Sequence, residues 1–251
     1  MTNAGKEGPI LVFLGPTLRR DEAQAVLDAI YLQPVSQGDV ILAAHAFRPR
    51  AMVLIDGQFE DRPAVRHKEI LWAMAQGIVM IGAASMGALR AAELAPYGMI
   101  GVGLIYRWYR RWPLTAEDAV AVQSGPAELG FLPLTDALVD LQRTFSTLAR
   151  RNMMTSDERD QLIALARGTN FRHRSLAALL RAGGFSSDRI SALRKEMTGQ
   201  KRQDALLALR MAPSLTIERQ GRDVDRAWVA TNTFMRDLEA SHIDIDLIRN
   251  Y

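Results

Sequence analysis

The stretch "GIVMIGAASMGALRAAELA" (Gly77–Ala95) decides how this chain is read. Its first seven residues are apolar or small and carry no charge. Strands buried on both faces of a sheet are written as continuous apolar runs of this kind. From Met86 onward the composition turns to Ala, Leu, Arg and Glu, all strong helix formers. Ser85 stands at the junction. Two chemical readings of it are open. Serine is among the best helix N-caps. Alternatively, a serine between a strand and a helix can be a nucleophile raised on a tight turn, in the pattern G-x-S-x-G. Ala83-x-Ser85-x-Gly87 matches that pattern in part, with alanine at the first small position.

Working outward, the same alternation recurs. "PILVFLG" (9–15) reads as a strand, followed by Gly-Pro-Thr and the helix-like "RRDEAQAVLDAIY" (19–31). "RAMVLIDG" (50–57) reads as a second strand ending in Asp-Gly. A helix is expected from Pro63, with Ile70, Leu71 and Met74 on one face. "MIGVGLIYRWY" (99–109) contains a further strand, and "GDVILAAHA" (38–46) is a candidate for one more. Strand–helix alternation with apolar strands predicts an α/β fold, a parallel sheet flanked by helices. Gly and Pro cluster in "QSGPAELGFLPLT" (123–135). Beyond it the pattern is helical, with candidates at 134–151, 155–167, 173–183, 186–197, 200–210 and 224–240. The expected organisation is an α/β core over residues 1–132, followed by a mainly helical C-terminal region over 133–251.

Composition narrows the chemistry. The chain has 251 residues, of which 48% are hydrophobic, so a core forms without disulfide or metal staples. Cysteine is absent, which excludes a disulfide framework, a thiolate metal site and a cysteine nucleophile. The longest nearly uncharged apolar run, Gly77–Leu89, is 13 residues, short of the roughly 20 a membrane helix needs. The first ten residues are polar, unlike a signal peptide. A cytoplasmic protein with no membrane role is expected. Net charge is only +3, yet lysine occurs only at Lys6, Lys68, Lys195 and Lys201, so 27 of the 31 basic residues are arginine. They are interspersed with 28 acidic residues, so nucleic acid is not an expected partner.

In a parallel sheet, ligands sit beyond the carboxyl ends of the strands. Three loops should open there: Gly15-Pro16-Thr17, Asp56-Gly57 leading to His67 and Lys68, and the turn carrying Ser85. The site read from them is one of acyl transfer. Ser85 is the nucleophile and His67 or Lys68 its base. The amides of Met86 and Gly87, at a helix N-terminus, hold an oxyanion. Asp56 orients His67 or binds a ligand, and Thr17 caps the first helix or binds a ligand. Each has a plainer reading: Ser85 a cap, His67 a core histidine, Lys68 a solvated lysine and Asp56-Gly57 a turn. Arg19 and Arg20 fall in the first helical turn, against the helix dipole. "LGPTLRR" (14–20) lacks the P-loop pattern, so no nucleotide site is expected there. "YRWYRRW" (106–112) interleaves aromatics with arginine, a composition of protein interfaces that also suits stacking on single-stranded nucleic acid; its plainer reading is a strand end with one face buried.

"VFLGPTL", "IDGQFEDRPAVRHKEILWAMAQGIVMIGAASMGALRAAELAPYGMIGVGLIY" and "ALVDLQRT" together resemble the TfuA-like family over roughly residues 10–150. The resemblance implies a partner of a YcaO enzyme in backbone thioamidation of peptides or proteins. It implies that ATP and Mg belong to the YcaO partner, with no cofactor on this chain, and that this chain helps deliver the sulfur. Joined to the Ser85 context, the expectation is release of sulfide from a sulfur-carrier protein ending in a thiocarboxylate. The alternative is a noncatalytic adaptor that recruits substrate or carrier to YcaO, or activates it allosterically.

Overall fold

The computed structural model describes residues 8–58, 62–112, 116–219 and 228–251. Five strands form one parallel sheet: β1 (Ile10–Phe13), β2 (Ile30–Leu32), β3 (Ala51–Leu54), β4 (Val79–Ala83) and β5 (Ile100–Val102), in the order β2-β1-β3-β4-β5. The helices are α1 (Arg20–Gln24), α2 (Asp39–Phe47), α3 (His67–Ala75), α4 (Met86–Leu94), α5 (Gly103–Arg111), α6 (Leu138–Arg150), α7 (Ser156–Gly168), α8 (Leu176–Ala182), α9 (Ser187–Arg194), α10 (Gln200–Arg219), α11 (Asn232–Ala240) and α12 (Asp246–Arg249). The α/β architecture with a helical C-terminal part is therefore as the sequence predicts. No helix among the described residues is long and apolar enough to cross a membrane.

Both faces of the sheet are covered, which is why its strands are apolar throughout. Leu11, Phe13, Met52, Leu54 and Met80 meet Val40, Ile41 and Ala44 of α2, Ile70 and Ala73 of α3, and Ala88 and Ala91 of α4. Ile10, Val12, Val53, Ile55 and Ile81 face the other way, onto Ala23 of α1 and Ala205, Leu209 and Ala212 of α10. A long helix from the C-terminal part thus fills a face that the strand-connecting helices leave half bare. Its alanines at 205, 208 and 212 bring it close to the strands.

Three local expectations are corrected. Residues 19–31 do not form one helix. α1 stops at Gln24, and Ile30–Leu32 pairs with β1 as an edge strand. The Tyr31 hydroxyl donates to the Ala23 and Leu27 carbonyls at 2.8 Å each, tying the strand back to the segment before it. Residues 39–47 are helix rather than strand. Asp39 turns the chain there by accepting the Ser36 amide and hydroxyl, both at 2.7 Å, and an alanine-rich run then favours helix over strand. The segment 106–111 is also helical, so its arginines and Trp108 lie around α5.

Candidate functional site

The chain order of the strands sets the position of the site. It runs outward from β1 to β2, then reverses to β3, β4 and β5. The reversal lies between β1 and β3, and at such a point the two connections leave in opposite directions and open a crevice. Asp56, two residues past β3, fills it. Its Oδ2 accepts the amides of Gly15 and Thr17 at 2.9 and 3.1 Å, and its Oδ1 accepts the Thr17 hydroxyl at 2.5 Å. The carboxylate is 1% exposed. Its role is to clasp the loop after β1 to the end of β3. It does not orient His67, and Thr17 serves this clasp rather than the start of α1, which is capped at Arg19. At the exposed start of that helix Arg19 pairs with Asp21, so its charge needs no ligand to offset the dipole.

Above this crevice lies a cavity of about 390 Å³, bordered by Pro16, Asp56, Gly57, Ser85, Met86 and Lys201. The turn that brings Ser85 to it is strained. The Ser85 amide donates to the Ala83 carbonyl at 2.7 Å across a single residue, Ala84. Ala84 has φ of 65°, a region that costs a residue with a Cβ roughly 1–2 kcal/mol. Strain of this kind is a feature of functional turns. Ser85 is the N-cap residue of α4 by position, yet its side chain makes no cap hydrogen bond. The reading of Ser85 as an ordinary cap therefore loses its physical basis. Ser85 borders the cavity and is 8% exposed.

Gly87 does not serve as sequence alone suggested. Its amide donates to the Ile55 carbonyl at 3.2 Å, so it is not available to an oxyanion. A Cβ at this position would stand 1.8 Å from the Leu54 carbonyl oxygen. Gly87 is there because α4 crosses the end of β3 in backbone contact. The Met86 amide, by contrast, has no backbone acceptor among the described residues. It is the first amide of α4, where the helix dipole favours negative charge.

His67 and Lys68 are not brought to Ser85. After β3, Gly57 bridges to Val35 and Ala64 to Ser36. By Val65 the chain is already level with Arg90, whose Nε donates to the Val65 carbonyl at 3.1 Å. His67 Nε2 consequently meets Glu93 Oε2 at 2.7 Å. Glu93 is eight residues along α4 from Ser85, about 12 Å at 1.5 Å per residue. Burial alone would raise the Glu93 carboxyl, but hydrogen bonds from His67 and Arg90 hold it below its ordinary value. Lys68 Nζ donates to the Val229 carbonyl at 3.3 Å. Both residues line a separate cleft together with Tyr97 and Trp228.

The cation that does border the Ser85 cavity is Lys201, the second residue of α10. It is 3% exposed, and its Nζ donates to the Val120 carbonyl at 2.8 Å. Among the described residues it has no carboxylate within salt-bridge distance. Its backbone amide donates to Asp140 Oδ1 on α6 at 2.9 Å. Burial pushes the Asp140 carboxyl up to about 6, against the opposing pull of the Lys201 charge and amide. The cavity wall from Glu117 to Ser124 is held by Arg174, whose guanidinium pairs with Asp118 at 3.0 Å and donates to the Ala166 and Thr169 carbonyls. Sequence reasoning missed Lys201 because it lies 116 positions from Ser85. The scarcity of lysine was the only signal for it.

Residues 56–175 match the family model described as TfuA-like protein. The chain carries a TfuA-like domain. The TfuA-like family is associated with YcaO-dependent thioamidation, and its members are YcaO partners. The matched segment contains Asp56, Ser85 and the cavity wall. Pro16, Pro34 and Lys201, which also border the cavity, lie outside the match. No curated protein matches the chain.

Proposed function

We propose that this TfuA-like protein supplies sulfide to YcaO-dependent thioamidation by hydrolysing the thiocarboxylate of a sulfur-carrier protein at Ser85. One observation carries the reading: a serine without a side-chain cap bond, on a strained turn, borders a cavity also bordered by a buried lysine. A nucleophilic serine requires a base within the same enclosure, and Lys201 replaces His67 and Lys68 in that role.

The chemistry balances without a cofactor. Lys201 is the base: its amine takes the Ser85 Oγ proton as Oγ attacks the thioacid carbonyl. The Met86 amide faces the oxyanion. The C–S bond then breaks, and sulfide leaves carrying the proton returned by Lys201. Water attacks the acyl-serine with the same amine as base. The carrier departs as a carboxylate and Ser85 regains its proton. The strained turn fixes Oγ in advance of the substrate, so no reorganisation is needed at the moment of attack.

The test uses thiocarboxylated carrier protein with the purified chain, in the absence of YcaO and ATP. Sulfide and carrier mass are measured together. The expected result is sulfide release with the carrier's thiocarboxylate sulfur replaced by one oxygen from water, seen as one labelled oxygen in the carrier when the water is isotopically labelled, and loss of release in Ser85→Ala. A folded Ser85→Ala protein that releases sulfide undiminished overturns the nucleophile assignment, and a wild-type chain that releases none leaves the adaptor reading.

A further inference from the structure

A second concave surface lies on the other side of the α10 start. It is a groove of about 470 Å³ between α5 and α6, bordered by Leu104, Trp108, Trp112, Val139 and Gln200 and by the arginines 107, 111 and 143. Its electrostatics are one-sided. No residue bordering it is acidic, and α5 contains no acidic residue at all. Arg107 makes only a 3.4 Å contact with the Gly103 carbonyl. Arg111 lies over the Trp112 ring, 5.1 Å from its centroid. Among the described residues, none of the three arginines has a carboxylate within salt-bridge distance.

Two buried polar atoms here have no partner: Arg143 Nε, a donor, and Gln200 Oε1, an acceptor. Gln200 is 6% exposed. Leaving such a group unsatisfied costs roughly 1–3 kcal/mol, and native folds keep few of them. Both border the same groove. A ligand that suits this lining carries negative charge for three arginines and an apolar part for the Trp108, Leu104 and Val139 wall.

We propose that this groove docks an acidic peptide segment of a partner protein. An extended segment fits an elongated groove and sets its side chains on alternate sides. Asp or Glu side chains pair with Arg107, Arg111 and Arg143, and one apolar side chain enters between the tryptophans. The aromatic and arginine composition is that of residues that anchor protein interfaces. Single-stranded nucleic acid also stacks on aromatics, but it tracks a continuous basic field, and a net charge of +3 over the whole chain provides none.

The experiment is selection of displayed random peptides on the full chain, followed by fluorescence binding of the enriched peptides in solution. The enriched peptides are expected to be rich in Asp and Glu around at least one apolar residue. Their binding should change tryptophan emission and weaken at least about tenfold in an Arg107→Glu/Arg111→Glu double variant. Both positions are exposed, so the fold is retained. Sulfide release without a partner is expected to be unchanged in that variant. Failure to enrich any peptide family, enrichment without acidic bias, or binding indifferent to the double variant overturns the proposal. So does an oligothymidylate that binds more tightly than the peptides at equal salt and is lost in the same variant.

Discussion

The Lys201 amide donates to the Asp140 carboxylate at 2.9 Å, and this bond pins the start of α10 to α6. It places a buried amine at the Ser85 cavity from a helix whose main contacts are with the opposite face of the sheet. Replacing Lys201 by methionine keeps most of the side-chain volume and removes the base. Sulfide release should fall by roughly a hundredfold to ten-thousandfold, the usual contribution of a positioned general base. His67→Ala, in the separate cleft, should leave the rate within about twofold of wild type. A rate assay on the two variants, with circular dichroism to confirm folding, distinguishes them. Equal losses would place the base in the wrong cleft.

Gly87→Ala should destabilise the protein by about 1–3 kcal/mol or more, since the added methyl meets backbone rather than a movable side chain. Denaturant unfolding measures this directly. A neutral substitution would mean that α4 can lift from β3 without cost.

Thr17→Val removes one donor from a buried carboxylate and preserves shape. Asp56 Oδ1 loses the hydroxyl and keeps no other donor among the described residues. A loss of roughly 1–3 kcal/mol is expected, again by denaturant unfolding. If stability is unchanged, the clasp between the β1 loop and β3 rests on the two amides alone.

Much of this architecture was legible in the sequence. The runs at 10–13, 51–54 and 79–83 announced buried parallel strands, and their topology put Gly15, Thr17, Asp56 and Ser85 on one edge. What was not legible depended on long-range packing. β2 is three residues whose strand character comes only from pairing with β1. His67 was misplaced because the path of the loop from 55 to 66 cannot be inferred from its length. Lys201 reaches the cavity only once α10 has docked, and no local pattern encodes that.

Stability should decline as pH rises through the neutral range. Burial pushes the Glu69 carboxyl up to about 8, although the Arg66 and Gly38 amides oppose it. The folded chain then holds a proton that the unfolded chain releases above about 4.5. Folding free energy is therefore greatest below that pH and is lost progressively up to about 8. The loss is on the order of a few kcal/mol. Asp140 adds a smaller loss of the same sign, complete by about pH 6. Glu69→Gln should flatten the upper part of the curve, whatever its absolute stability. Urea midpoints measured from pH 5 to pH 8.5 check this, and a slope unaltered by the substitution would exclude Glu69 as its source.

The crossing of α10 beneath the sheet also bears on how the chain comes into being. During synthesis, strands β1 to β5 are complete by residue 102, yet one face of them stays only partly covered until Ala205, Leu209 and Ala212 have emerged. Those same residues follow directly on Lys201. The step that covers the nascent sheet is thus the step that brings the Lys201 amine to the cavity bordered by Ser85.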